Sequence, residues 1–155
     1  MKFNSALINS PLGEIMAMSF NDKLMSVRFL DGFNYNQVEE TSECLELLRT
    51  ELDSYFAGKL KKFKSTFTPL AAKFSNQVWE ELRQIPYGET RSYSDIAKAL
   101  GKPKSVRSVG TANAKNRCLI IVPCHRVIAK DGSLSGFAAG IERKEWLLKH
   151  EQKFS

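Results

Sequence analysis

Long apolar runs are missing from this 155-residue sequence; the longest, Cys118 to Cys124, is seven residues and includes Pro123. A bilayer-spanning helix needs about 20 apolar residues, so a transmembrane helix is excluded. The N-terminal MKFNSALINS has no apolar h-region, which sets the expectation of a cytoplasmic protein. Histidine is down to two residues, His125 and His150, and cysteine to three, Cys44, Cys118 and Cys124, with no C-x-x-C. An odd thiol count without a secretory signal argues against a disulfide framework, and the spacing of these residues does not suit zinc. The thiols are therefore structural, or one of them is reactive. Acidic residues are scarce in one region: positions 91–130 hold nine Lys/Arg and one acid, Asp95.

The remaining composition, 43% hydrophobic and 26% charged, is that of a globular protein. The net charge of +6 is unevenly spread. Residues 1–70 carry 8 basic and 9 acidic side chains, whereas residues 71–155 carry 15 and 8. A neutral half beside a basic one is the pattern of a surface that meets phosphate, against the plainer reading of a solvated basic face.

The patterning predicts an α/β (α+β) protein: a small N-terminal β-sheet and helix domain (1–71) packed on a mostly helical C-terminal domain (72–155). Ile15 to Phe20 and Leu24 to Leu30 flank Asn21-Asp22-Lys23 as a hairpin, with Met16, Met18 and Phe20, and Met25, Val27 and Phe29, as buried faces. Leu45, Leu48, Leu52 and Phe56 form one helical stripe stopped by Gly58. Residues 59–72 read as a basic linker, its lysines solvated. Phe74, Val78, Leu82 and Ile85 define a second helix with Ser75 as its cap, and a last helix ends near His150. Trp79 and Trp146 are read as packing residues, Cys44 and Cys118 as inert, and His150 as a solvated helix end.

Between them lie two short helical segments, Ser94 to Leu100 and Ser105 to Ala114, capped by Ser94 and Ser105 and parted by Gly101. Two short helices around a glycine turn follow helix-turn-helix logic, although such pairs also pack in enzymes that never meet DNA. Arg107, Lys104, Lys115 and Arg117 cluster on or beside the second helix. Ser92, Ser94 and Ser105 offer hydroxyl or amide contacts to phosphate. Cys124 ends the apolar run and is followed by His125 and Arg126. A thiolate is the nucleophilic form of cysteine, and neighbouring positive charge is expected to lower its pKa. In an extended chain adjacent side chains diverge, so His125 needs a bent backbone or a water to reach the thiol; Glu151 is the late acid able to orient a histidine.

The segment Pro123-Cys124-His125-Arg126-Val127 resembles the active-site signature of the O6-alkylguanine-DNA alkyltransferases, the methylated-DNA–protein-cysteine methyltransferases. Ile85-Pro86-Tyr87-Gly88-Glu89-Thr90-Arg91-Ser92-Tyr93, Arg107-Ser108-Val109-Gly110, Asn116 and Arg143-Lys144-Glu145-Trp146-Leu147-Leu148 follow the family's order and spacing. The resemblance implies direct-reversal repair: alkyl transfer from O6-alkylguanine in DNA, with O4-alkylthymine left open, to Cys124, consuming the protein. It further implies that His125 and Glu151 relay the thiol proton, that Tyr93 assists base flipping and that Asn116 braces the turns. Arg107 is implied as the finger that fills the vacated stack from the minor groove. Ser92, Lys104, Ser105 and Arg117 would contact DNA, and Val127, Phe137 and Ala138 would line the base pocket. Double-stranded DNA is the implied partner of a monomer, with no cofactor and no membrane. The zinc ligands of some relatives are absent, so no metal is expected. Phe137 stands where many relatives carry tyrosine, and Ala139 where glycine is frequent.

Overall fold

The computed structural model describes residues 3–33, 35, 40–68, 71–134 and 136–155. They form two compact units that divide after Thr68. In the first, β1 (Phe3–Ile8), β2 (Ile15–Phe20) and β3 (Lys23–Phe29) make an antiparallel sheet in that order, against which α1 (Glu43–Phe56) packs. The β2–β3 turn rests on Asn21 and Asp22, with φ of 50° and 58°. Two left-handed residues match a tight hairpin to the strand twist, and Asn and Asp accept that conformation best after glycine. Asp22 then accepts the Cys44 N–H at 2.9 Å, joining the turn to the start of α1.

The strand faces differ from the expectation. Ile15, Ala17 and Ser19 are the buried set in β2, and Met16, Met18 and Phe20 are half-buried. Period-two alternation identifies two faces without saying which one a helix covers. Here it is the face with small residues, where Ala6 and Ala17 pair and are fully buried. A bulge in β3 opposite Met18/Ser19 of β2 shifts the phase, so Leu24, Val27 and Phe29 are buried while Met25 is not.

Leu45, Leu48 and Leu52 are buried as their spacing requires, but Tyr55 completes the stripe in place of Phe56. The helix ends in a Schellman closure: Gly58 N–H bonds to Tyr55 O and Lys59 N–H to Ser54 O, with Gly58 at φ 79°. Residues 59–68 are not a linker but a strap anchored on α1 and β3. Phe63, Ser65 and Phe67 are buried in alternation. The Glu51 carboxylate accepts the N–H groups of Lys64 (2.6 Å) and Ser65 (2.8 Å) and the Ser65 hydroxyl (2.6 Å). Thr68 N–H closes the strap on Leu24 O at 2.8 Å.

The second unit contains α2 (Lys73–Leu82), β4 (Arg91–Ser92), α3 (Tyr93–Ala99), α4 (Val106–Ala114), a 3-10 turn at Cys124–Arg126, β5 (Val127–Ile128) and α5 (Ile141–Phe154). Val78, Trp79, Leu82 and Ile85 are buried, and the Trp79 indole donates to Ala112 O at 2.9 Å, tying α2 to α4. Ser75 does not cap α2. The helix begins two residues earlier, its approach held by the Asn76 amide on Ala71 O at 2.8 Å. Nor does Ser94 cap α3: Ser92 does, in a reciprocal box with Asp95. Ser105 sits at the cap position of α4 but makes no side-chain cap bond. The last helix runs past His150 to Phe154, and His150 is buried against Trp146 (rings 4.8 Å apart, 12° between planes), not solvated. Parallel pairing of β4 with β5 sets Arg91 opposite Val127 and Ser92 opposite Ile128.

Candidate active site

The chain from Cys118 to Val127 is buried throughout. Its path is set by two γ-turns. Ile121 N–H bonds to Leu119 O at 2.8 Å across Ile120, whose φ is 73°. This is the rare positive-φ form, a strain of about 1–3 kcal/mol that is least welcome at a β-branched residue. Cys124 N–H bonds to Val122 O at 2.8 Å across Pro123, at φ −80° and ψ 62°, the favourable form that proline's ring already approximates. Asn116 holds both turns: its amide donates to Val122 O at 2.8 Å, and its carbonyl accepts Cys118 N–H at 3.0 Å. A clamp with two hydrogen bonds is what over-determines a strained backbone and keeps Cys124 in one place.

Beyond Pro123 the 3-10 turn supplies the bend that a Cys-His neighbour pair requires. His125 and Arg126 both reach Glu151 on α5. His125 Nε2 lies 2.6 Å from Glu151 Oε2, Arg126 Nε donates to Oε1 at 2.7 Å, and Arg126 Nη2 donates to Oε2 at 3.0 Å. Arg126 Nη1 also donates to Ile85 O at 2.8 Å. Burial by itself would raise the Glu151 pKa, but His125 and the Arg126 guanidinium outweigh it and hold the carboxyl well below the usual carboxylate range. Burial holds the His125 imidazole below its ordinary value, against the pull of Glu151. An ionised carboxylate only accepts, so neutral His125 donates from Nε2 and its lone pair lies on Nδ1. That Nδ1 is buried with no protein hydrogen-bond partner among the described residues.

Burial pushes the Cys124 thiol up to about 11, partly countered by a hydrogen bond with Asn116 and the charge of Lys144. The expectation of a lowered pKa is therefore wrong. Arg126 faces Glu151 instead, and desolvation disfavours a thiolate in so closed a site. The resting thiol is neutral, and Nδ1 of His125 is a base beside it in sequence.

The same shifts govern stability. A folded pKa above the ordinary value of 9.0 means that Cys124 favours unfolding as pH rises from 9 towards 11. His125, lowered from 6.5, favours unfolding as pH falls below that value, and Glu151, lowered from 4.5, adds to this below its own. Accordingly, alkylation of Cys124 by iodoacetamide should keep accelerating from pH 7 to pH 10, without the early plateau of an activated thiol. Peptide-resolved labelling rates check this, and a plateau below pH 8 contradicts it.

Lys144 is a residue of the site that sequence reasoning misses. It is fully buried, and its ammonium donates to Val127 O at 2.6 Å. A signal exists: Lys144, Leu147 and Glu151 share one face of α5, and a lysine on a buried stripe needs a polar reason. Arg126 stands out in the tripeptide, but its partner does not.

Tyr93 is the first residue of α3, set by the Ser92 cap, and it stands between two glycines. A Cβ on Gly136 would lie 3.1 Å from its hydroxyl, and one on Gly110 would lie 3.8 Å from its ring. Phe137 is buried and Ala138 exposed. Val127 is buried, its carbonyl committed to Lys144. Arg107, Lys104 and Arg117 are exposed, while Ser92 and Ser105 are half-buried. Among the described residues no group of His, Cys, Asp and Glu is arranged to hold a metal ion, and no helix is long and apolar enough to cross a membrane.

Residues 73–153 match the family model described as the 6-O-methylguanine DNA methyltransferase DNA binding domain, and residues 5–70 match that family's ribonuclease-like domain. The chain belongs to the 6-O-methylguanine DNA methyltransferase family. A methylated-DNA–protein-cysteine methyltransferase of Methanosarcina acetivorans is 43% identical over 150 residues, 94% of this chain and 96% of the relative. The crystal structure of the Mycobacterium tuberculosis O6-methylguanine methyltransferase superposes with a TM-score of 0.90 at 36% identity, covering 99% of this chain and 95% of that one. A structure of the M. tuberculosis protein in complex with DNA gives 0.87 at 37% identity, covering 99% and 94%. Family membership agrees with the mixed α/β fold anticipated from patterning.

Proposed function

We propose that this protein repairs DNA by direct reversal, transferring the alkyl group of O6-alkylguanine to Cys124 in a single, irreversible turnover. The observation that carries this reading is the set Cys124, His125 and Glu151: a neutral buried thiol next to an imidazole whose Nε2 is fixed by an ionised carboxylate and whose Nδ1 is left to accept. Each step balances. The thiol proton passes through a water to His125 Nδ1; the Glu151 carboxylate stabilises the imidazolium, and Arg126 holds that carboxylate ionised and in place. Sulfur forms a bond to the alkyl carbon as the C–O6 bond breaks, and the electron pair leaves on guanine O6. The purine anion takes up a proton from water and remains in the strand as guanine, and the imidazolium later returns its proton to solvent. A thioether is a poor leaving group, so the protein is spent, and the reaction calls for no cofactor.

The target base is buried in the duplex and must be flipped out, at a cost of a few kcal/mol. Tyr93, rigid at the head of α3, meets the flipped guanine, and Val127, Phe137 and Ala138 line its pocket. Arg107 enters the vacated stack from the minor groove, while Ser92, Lys104, Ser105 and Arg117 hold phosphates. The protein acts as a monomer. Phe137 lacks the hydroxyl that tyrosine would bring, so donors in the pocket are backbone N–H groups and the Tyr93 hydroxyl.

Incubation with a duplex bearing one O6-methylguanine should place a single methyl on the Cys124 peptide, with repair stopping at one equivalent. Methyl on Cys44 or Cys118, or continued turnover, would sink the reading. In the same assay Arg107→Ala should slow repair of duplex far more than reaction with the free base.

A further inference from the structure

The lysine-rich strap of the first unit has no part in the site described above. From Asp53 to Glu80 the sequence has no acid between these two residues, and it carries Lys59, Lys61, Lys62, Lys64 and Lys73. Half of the eight basic residues in positions 1–70 fall within the six positions 59–64. The strap is held firmly. Phe63, Ser65 and Phe67 are buried, and three hydrogen bonds from Lys64 and Ser65 to Glu51 fix its backbone. Lys59, Lys61, Lys62 and Lys64 are all exposed as a result.

The Glu51 carboxylate at the strap is turned inward and saturated by N–H and O–H donors. Lys59, Lys62 and Lys64 have no ion-pair partner among the described residues. Alternate residues of an extended chain are roughly 6.6 Å apart. That places Lys62 and Lys64 at a repeat comparable to two steps of about 3.4 Å along one DNA strand, close enough for each ammonium to meet its own phosphate. A solvated face maintained for solubility alone usually mixes charges of both signs; this one does not.

We propose that the strap 59–64 is a second phosphate-binding surface, taking the sugar-phosphate backbone of duplex DNA. This rests on the DNA-repair reading and extends it to the first unit. The partner is recognised by charge alone, so the contact adds affinity without sequence preference, as suits a protein that must find lesions in any context.

The test uses the full chain and a lesion-free duplex of about three helical turns. Binding constants are measured by fluorescence anisotropy across a salt series for wild type, K59Q/K62Q/K64Q and K59R/K62R/K64R. Each phosphate contact contributes about 0.9 to the log–log salt slope. The glutamine variant should therefore be shallower by about 2 to 3, and the arginine variant should match wild type. Methyl transfer from free O6-methylguanine should be equal in all three. An unchanged slope in the glutamine variant overturns the proposal, as does an equal loss in the arginine variant, which would mean a structural effect. Failure of methyl transfer in wild type would instead overturn the repair reading, leaving the salt data to judge the strap.

Discussion

Cys124→Ser should abolish methyl transfer while leaving the fold and DNA binding in place. Serine is nearly isosteric, so the two γ-turns and the Asn116 clamp have no steric reason to change. The chemistry changes entirely. A hydroxyl is a much weaker acid than a thiol and a less polarisable nucleophile, and the burial that pushes the thiol up to about 11 acts in the same direction on an alkoxide. His125 Nδ1 cannot draw off that proton at neutral pH, so serine offers the alkyl group no competent acceptor. The added polar atom costs about 1–3 kcal/mol if it finds no partner, which thermal unfolding would register. Quantitative mass spectrometry after incubation with O6-methylguanine duplex should find no methylated protein, while anisotropy should find duplex affinity within about twofold of wild type. Transfer at the wild-type rate would mean that another residue accepts the alkyl group.

Glu151→Gln should bring two large losses, and a companion variant separates them. The carboxylate fixes the His125 tautomer and balances Arg126, which is buried and also bonded to Ile85 O. An amide can donate as well as accept, so His125 can reverse and turn a protonated Nδ1 towards the thiol. Removing an effective general base typically costs about 10²- to 10⁴-fold, and the transfer rate should fall by about that factor. Leaving the Arg126 guanidinium buried without its counter-charge should also cost about 3–5 kcal/mol in denaturant unfolding. Arg126→Met combined with Glu151→Gln removes both charges and should recover much of the stability with little recovery of rate. Recovery of the rate along with the stability would reduce Glu151 to a structural role. The single variant should also lose the part of the acid-side pH dependence that Glu151 contributes below pH 4.5.

Long amphipathic helices are legible in the sequence because burial repeats over several turns: Leu45, Leu48 and Leu52 need a partner face wherever the helix goes. Caps are less so. Ser94 and Ser75 have the right chemistry, but a cap depends on where the backbone leaves the extended region, which serine content alone does not fix. The β4–β5 pair has two residues per strand, too few for any period, and it joins residues 36 positions apart. The strap 59–68 resembles a linker because its alternation of Phe and Lys looks like mere composition until Glu51, 13 and 14 positions before Lys64 and Ser65, supplies the acceptor for their backbone. The active-site tripeptide is visible as chemistry, and its direction is not. That Arg126 turns to Glu151, and that burial outweighs nearby charge at Cys124, depends on the fold around the tripeptide.

Asp95 is the single negative charge among the nine positive ones of positions 91–130, and its placement shapes how that region is seen from a distance. Its carboxylate accepts Ser92 N–H at 2.8 Å, and this bond holds its pKa below the ordinary carboxylate value. At the start of α3 it also faces the positive end of the helix. The Ser92 bond keeps the carboxylate ionised and in place, and its charge stands beside Lys98 and Arg91, which lower its pKa further. An approaching polyanion meets a field that stays strongly positive, nine charges against one, and the one acid admitted to these forty residues is committed to starting the helix that carries Tyr93.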